Sequence, residues 1–441
     1  MGKDALSRRG FIKLGGGALG ALVFGSSLAA CGQGSAGGSN PAASSGRKVI
    51  NFVTAKFEST TSMQDFVKPF NDSSSSYQVV VRELPPPSQS TEVHQQLVQQ
   101  LGAGSGDIDV FTQDVIWPAE FASAGWAMDL SSEFPQAERD KFFPGLVQSV
   151  TWQDKLVGLP FYLDAGQLYY RKDVLKDKGM KVPTTWQELA TSAKALQGSG
   201  DIKNGFLWQG KQAEVLVCNV VSFVGGAGGA ILGPDGKTVM IADQPAQTAI
   251  QFMYDTMNSL NITPKDVLSW DEEPSRKPFT AGNAAFLRQW SYVWKVSQDA
   301  NQSQVVDKVG VAPLPHFPGG KSAACLGGYQ LGVCESSKNK EGAVEFLRWM
   351  TSLDTQIRYA ELFGSNPALR SAYADPRLAK VSPAMVQLKD VFEGGTPRPI
   401  TPKYPQVSLA IQSAVSKALT TGDVAGNLAK VKSEIEKIVS T

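Results

Sequence analysis

Histidine is almost missing from this chain: 441 residues hold only His94 and His316. That nearly excludes a zinc site built on histidines. Cysteine is scarce too. Beyond Cys31 there are only Cys218, Cys325 and Cys334, an odd number without metal-like spacing. Cys325 and Cys334 could pair across neighbouring strands, but three small buried thiols are the favoured reading. No run of basic residues occurs, and formal net charge is +1. Leaving out Lys3, Asp4, Arg8, Arg9 and Lys13 turns it to −2, which argues against nucleic acid as a partner. No period of ~20–50 residues recurs, so a repeat solenoid is not expected. Catalytic signatures are absent as well: no Gly-x-Ser-x-Gly elbow, no His-Glu-x-x-His, no phosphate-cradling loop. The glycine-dense stretch 225–229 runs into Ala-Ile-Leu and a Pro-Asp-Gly turn, and reads as a surface loop rather than a nucleotide cradle. A hydrolase using paired carboxylates stays open, because carboxylate separation is invisible in sequence.

What the chain does have begins at its start. Ser7-Arg8-Arg9-Gly10-Phe11-Ile12-Lys13 precedes an apolar run over 14–30 that ends Leu28-Ala29-Ala30-Cys31. Charge, apolar core and then small residues make an export signal over 1–31, and the arginine pair marks the route that carries folded cargo. Cysteine after Leu-Ala-Ala resembles a bacterial lipobox, with Cys31 as the lipidated residue after cleavage. The run is short and rich in Gly and Ala, which argues against an uncut membrane span. Residues 32–47, GQGSAGGSNPAASSGR, cannot bury apolar surface and read as a disordered tether. The expected location is extracytoplasmic, lipid-anchored to the cell membrane.

With 42% hydrophobic residues and about 390–400 folded positions, the chain can fill two cores. Strand-like runs at 48–53, 77–82, 108–111, 168–170, 284–287 and 309–312 alternate with helical spacing at 63–70, 93–101, 185–196, 246–259, 341–350, 408–419 and 424–439. The 185–196 helix opens on a Thr cap. Such alternation implies βαβ units and a parallel sheet, hence an α/β fold in two lobes.

Aromatic rings sit beside carboxylates at several strand ends. Asp114 lies three residues before Trp117, Tyr162 two before Asp164, Trp290 just after 284–287, and Tyr329 after Gly327-Gly328. Open α/β sheets bind ligands at the carboxyl ends of their strands. Flat rings cover the apolar faces of pyranose sugars, carboxylates accept from hydroxyls, and an arginine adds fixed donors. The mixture suits a neutral, polyhydroxylated ligand. Trp126, Trp152, Trp186 and Trp349 read as packing, and Trp117 serves equally well as a staple for the helix after Pro118.

At these residues the chain resembles the extracellular solute-binding lipoproteins of carbohydrate ABC importers, related to maltose-binding protein. The resemblance spans essentially the whole mature chain. It rests on Asp107-Ile108-Asp109-Val110-Phe111 with Gln113-Asp114-Val115-Ile116-Trp117, on Gly158-Leu159-Pro160 leading to Tyr162-Leu163-Asp164, and on 279–286 with Trp290. Val311-Ala312-Pro313-Leu314-Pro315 and Leu326-Gly327-Gly328-Tyr329 follow in the same order. The 114–126 stretch and Arg398-Pro399-Ile400-Thr401-Pro402-Lys403-Tyr404 are most similar to trehalose- and maltose-type binders. The resemblance implies a two-lobed type II periplasmic-binding-protein fold, with a ligand cleft between lobes joined by three crossings near 162–168, 286–291 and 325–330. It implies a first lobe of 48–162 plus 289–325 and a second of 168–286 plus 329–441. Glu58, Asp114, Trp117, Tyr162, Asp164, Trp290, Gly328, Tyr329 and Arg398 would bind an α-linked disaccharide such as trehalose or maltose. Gln209 and Glu214 match a family stretch but read as ordering the second lobe. The chain departs from that branch at Pro85-Pro86-Pro87-Ser88, where a basic residue is usual. By this reading the protein is no enzyme and holds no cofactor or metal. It works as a monomer, with a carbohydrate, permease subunits and the membrane as partners. The alternative is an exported glycoside hydrolase or lyase. A polyamine or ferric-chelate binder is disfavoured by Arg398 and by the lack of histidine.

Overall fold

The computed structural model describes residues 46–440 apart from Glu58, Asp201 and Pro234. The export signal, Cys31, Glu58 and all but the last two tether positions therefore lie outside the described residues. The tether expectation is one residue too long. Arg47 donates to the carbonyls of Asn71 and Ser74 and so belongs to the folded body.

Two larger sheets carry the fold. In the first, Lys48–Ala55 pairs in parallel with Tyr77–Leu84 and with Val110–Asp114, and Tyr329–Val333 then pairs antiparallel with Val110–Asp114 and Leu159–Pro160. The second is Gln167–Arg171 flanked antiparallel by Val309–Ala312 and Ala284–Gln289, with Asn204–Leu207 parallel at its edge. Strand alternation divides the second sheet between two apolar clusters. Leu168, Phe206 and Phe286 face the large core, while Tyr169, Leu207 and Leu287 face a smaller one. The helix Trp186–Leu196 opens where expected. Thr185 accepts from the Glu188 N–H at 3.2 Å, and the Glu188 carboxylate accepts from the Thr185 N–H at 3.1 Å, a reciprocal cap.

The cores show which segment belongs to which lobe, and the expected division needs correction. The first core draws on residues 50–165 and 324–392, the second on 168–325 and 407–435. Residues 289–325 thus stay with the second lobe, because Val309–Ala312 pairs with Gln167–Arg171 and Val293 packs against Tyr169 and Leu287. Residues 329–392 join the first lobe, because Tyr329–Val333 enters its sheet. The chain crosses at 165–167, at 325–328 and between Phe392 and Val407, and not at 286–291. The last two crossings run side by side: Thr396 donates to the Ala324 carbonyl at 2.8 Å and accepts from the Leu326 N–H at 2.9 Å. A small sheet at the junction pairs Tyr162–Ala165 with Leu326–Gly327 and Asn366–Pro367.

Cys218, Cys325 and Cys334 are free and buried. Cys334 sits in the first core and Cys325 in the second, so those two do not pair. Gly225 and Gly226 close the helix Glu214–Gly226 rather than opening a surface loop.

Candidate functional site

A cavity of about 460 Å³ opens where the lobes meet. Asp114, Tyr162, Asp164, Trp290, Gly328, Tyr329 and Arg398 line it together. Register brings several of them there. Tyr329 is the direct cross-strand partner of Asp114, and Gly327 that of Asp164, so one antiparallel step carries both pairs to the junction. Gly328 between them has φ +104°, and a Cβ there would lie 2.2 Å from the Tyr162 carbonyl oxygen. Only glycine fits that turn.

Charge in the cleft is built around one arginine. Arg398 donates to Asp114 Oδ1 at 2.9 Å and to Glu214 Oε1 at 2.7 Å, linking the end of a first-lobe strand to the start of a second-lobe helix. Tyr404 and Ser408 add hydroxyl donors to Glu214, each at 2.5 Å. Burial pushes the Asp114 carboxyl up, and the Arg398 charge only partly offsets it. The Arg398 Nε and the Tyr329 hydroxyl are buried without a hydrogen-bond partner among the described residues. Such donors carry a desolvation cost until something accepts from them. Asp164 is also pushed up, to about 6, by burial, against the stabilising donors Ser291 Oγ at 2.5 Å and Ser291 N at 3.0 Å.

Aromatic rings form the apolar surface. Tyr162 and Tyr329 stack 6.1 Å apart at 18°, with Phe57 edge-on to both at 5.5 and 5.3 Å. From the other lobe, Trp290 is fixed through its indole N–H, which donates to Glu272 at 3.3 Å.

Two expected residues are not placed in the cleft. Trp117 is 2% exposed and sits in the first core, edge-on behind Tyr329 at 5.9 Å and beside His94 and Phe121. Its place after the strand end made it look like a wall, but the helix Pro118–Ser123 turns it inward. Glu58 lies outside the described residues. Gln209 is fully buried, donating to Ser275 and to the Arg288 carbonyl, away from the cavity. Glu214, which read as a lobe-ordering residue, holds Arg398 and also lines the cavity.

Sequence reasoning passed over Phe57, Lys211, Glu272 and Tyr292, which also line the cleft. Tyr292, two residues past Trp290, donates to Glu273 at 2.9 Å, and its spacing could have found it. Glu272 and Glu273 open a helix as an acid pair, a signal as easily read as an ordinary helix start. The proline stretch that departs from the trehalose/maltose-type pattern, Pro86 and Pro87 with Ser88, forms part of one wall. Among the described residues, no group of three or more His, Cys, Asp or Glu is arranged to hold a metal ion. No helix among them is long and apolar enough to cross a membrane.

Comparison with known proteins places this geometry. Residues 56–357 match the family described as bacterial extracellular solute-binding protein. A protein of Deinococcus radiodurans described as a probable ABC transporter-binding protein is 39% identical over 337 residues, 74% of this chain and 79% of its own. The solved structure of maltose-bound T. maritima MalE3 is 36% identical with a TM-score of 0.82, covering 88% of this chain and 99% of that one. A solute-binding protein from Thermotoga lettingae with bound alpha-D-tagatose matches at 23% identity and a TM-score of 0.77, over 89% and 99%, which speaks for the fold alone.

Proposed function

The chain belongs to the bacterial extracellular solute-binding protein family, and on that premise we propose that it is the receptor of an ABC sugar importer and takes an α-linked disaccharide such as maltose or trehalose. One observation carries this reading: rings and carboxylates from both lobes line a single cavity of about 460 Å³. Tyr162, Tyr329 and Trp290 offer faces for pyranose rings, Asp114 and Asp164 accept from hydroxyls, and Tyr329 and Arg398 donate. Sugar bound there touches both lobes and so favours the closed arrangement of the two. Turning a mostly open population into a mostly closed one takes ~5.5 kcal/mol of differential binding. A few hydrogen bonds to charged groups, ~1.5–3 kcal/mol each, together with ring stacking can supply it. The maltose-bound relative, at 36% identity, supports a glucose-based disaccharide over a sugar alcohol.

The closed receptor hands its sugar to permease subunits while a lipid at Cys31 holds it to the membrane as a monomer. Cys31→Ser should move the protein from the membrane fraction to the soluble one.

Isothermal titration of the wild type with maltose, trehalose, glucose and mannitol tests the site. Saturable heat with a disaccharide is expected, and Trp290→Ala should weaken it at least ~tenfold, the loss of a stacked ring. Silence toward every sugar sinks the reading. Release of glucose from the offered disaccharide would turn it toward a hydrolase.

A further inference from the structure

Arg288 is fully buried behind the cleft and does not line it. Its guanidinium carbon lies 4.1 Å from the centroid of the Trp290 ring. Nη1 donates to Gln209 Oε1 at 3.3 Å, while Nε and Nη2 have no hydrogen-bond partner among the described residues. The first crossing makes room for this head group: a Cβ on Gly166 would lie 2.8 Å from Nη2 and 3.0 Å from Nε. The charged and titratable groups that act on Arg288 are Asp164, Glu272 and the thiols of Cys218 and Cys325. Packing alone does not account for such a residue. A buried guanidinium with two open donors is costly, and an apolar side chain would fill the volume without that penalty. What it supplies is a cation under one aromatic ring and near two cleft carboxylates.

We propose that Arg288 is a positioning residue of the sugar site, holding the Trp290 ring from behind in the orientation that meets the ligand. The inference rests on the cleft being that site. Trp290 is then pinned twice, by Glu272 at its indole N–H and by Arg288 beneath its face. The ring keeps one orientation before sugar arrives, so less freedom is lost on binding. Arg288 pulls against the burial that raises both carboxyls.

The test uses the full mature protein with and without sugar. The indole N–H resonance of Trp290, identified by its loss in Trp290→Phe, is compared in wild type, Arg288→Met and Arg288→Lys, and maltose and trehalose affinities are measured alongside. Arg288→Met should displace the resonance and weaken binding at least ~fivefold. Arg288→Lys keeps the charge but not the flat stack, so the resonance should still shift. An unmoved resonance in Arg288→Met overturns the proposal. If a thermal melt shows that variant unfolded, Arg288→Lys decides: an unchanged resonance and affinity would equally overturn it. A wild type that binds neither sugar would sink the site reading instead, and the ligand-free resonance would still judge Arg288.

Discussion

Asp164 shows what a single cleft carboxylate costs the free protein. Its pKa is raised from 3.8 to about 6, chiefly by burial, so between those values the native state holds a proton that the unfolded chain has lost. Stability therefore falls as pH rises through that window, and above it the full cost remains. Two pH units correspond to about 3 kcal/mol, less where cleft water screens the group. Asp164→Asn keeps an oxygen for the Ser291 donors and removes the charge. It should raise the melting temperature by a few degrees at pH 7.5, lose most of that gain near pH 4, and weaken sugar binding. An equal gain at both pH values, read by calorimetry, would show that charge burial is not the cause. Trp117 and Trp290 teach a related lesson. Both follow a strand end beside acids in the sequence, yet one is core and the other cleft wall. Which way an indole points depends on the helix after it, and spacing does not encode that.

At the scale of elements, the junction depends on the turn at Gly328. Alanine there would hold a positive φ that L-residues avoid and press a methyl into the Tyr162 carbonyl. Gly328→Ala should cost about 3 kcal/mol in urea unfolding and abolish the Tyr329–Asp114 alignment. A loss below about 0.5 kcal/mol would mean that the turn relaxes freely. Elements with clear periodicity were legible in the sequence: Lys48–Ala55, Tyr77–Leu84, Trp186–Leu196 with its Thr cap, and the C-terminal helix Val424–Ser440. The helix Glu214–Gly226 was not, because nearly all its residues are buried and an apolar surface on every side leaves no stripe to read. Lobe membership was illegible for another reason. Tyr329–Val333 and Val309–Ala312 look alike as short apolar runs, and only their pairing partners, more than 100 residues away, assign them to different sheets. Hence 289–325 and 329–392 exchanged lobes while 407–435 stayed in the second as expected, even though the site residues read from the sequence largely meet in one cleft.

For the whole molecule, the balance between open and closed lobes depends on the few contacts that span them away from the crossings. Lys295, on the second-lobe helix Tyr292–Ser297, donates to the carbonyls of Glu361 at 2.9 Å and Leu362 at 2.8 Å. Those carbonyls end the first-lobe helix Leu353–Phe363, where a cation meets the negative end of the helix dipole. Phe363 and Ser365, just beyond in the chain, line the cleft, so the contact joins the two lobes next to residues of the cavity wall. The contact is exposed, which limits its worth to about 0.5–1 kcal/mol. Spread over the open–closed equilibrium, that amounts to about a two- to fivefold change in apparent affinity. Lys295→Met should therefore weaken disaccharide binding by about that factor while leaving the sugar-saturated radius of gyration in X-ray scattering unchanged, since saturating ligand can still close the lobes. Salt makes the test sharper. Raising ionic strength to about 0.5 M should weaken the wild type toward the variant and leave the variant where it was. If both respond to salt alike, the lysine only decorates the surface, and closure is set by the sugar and the hinge alone.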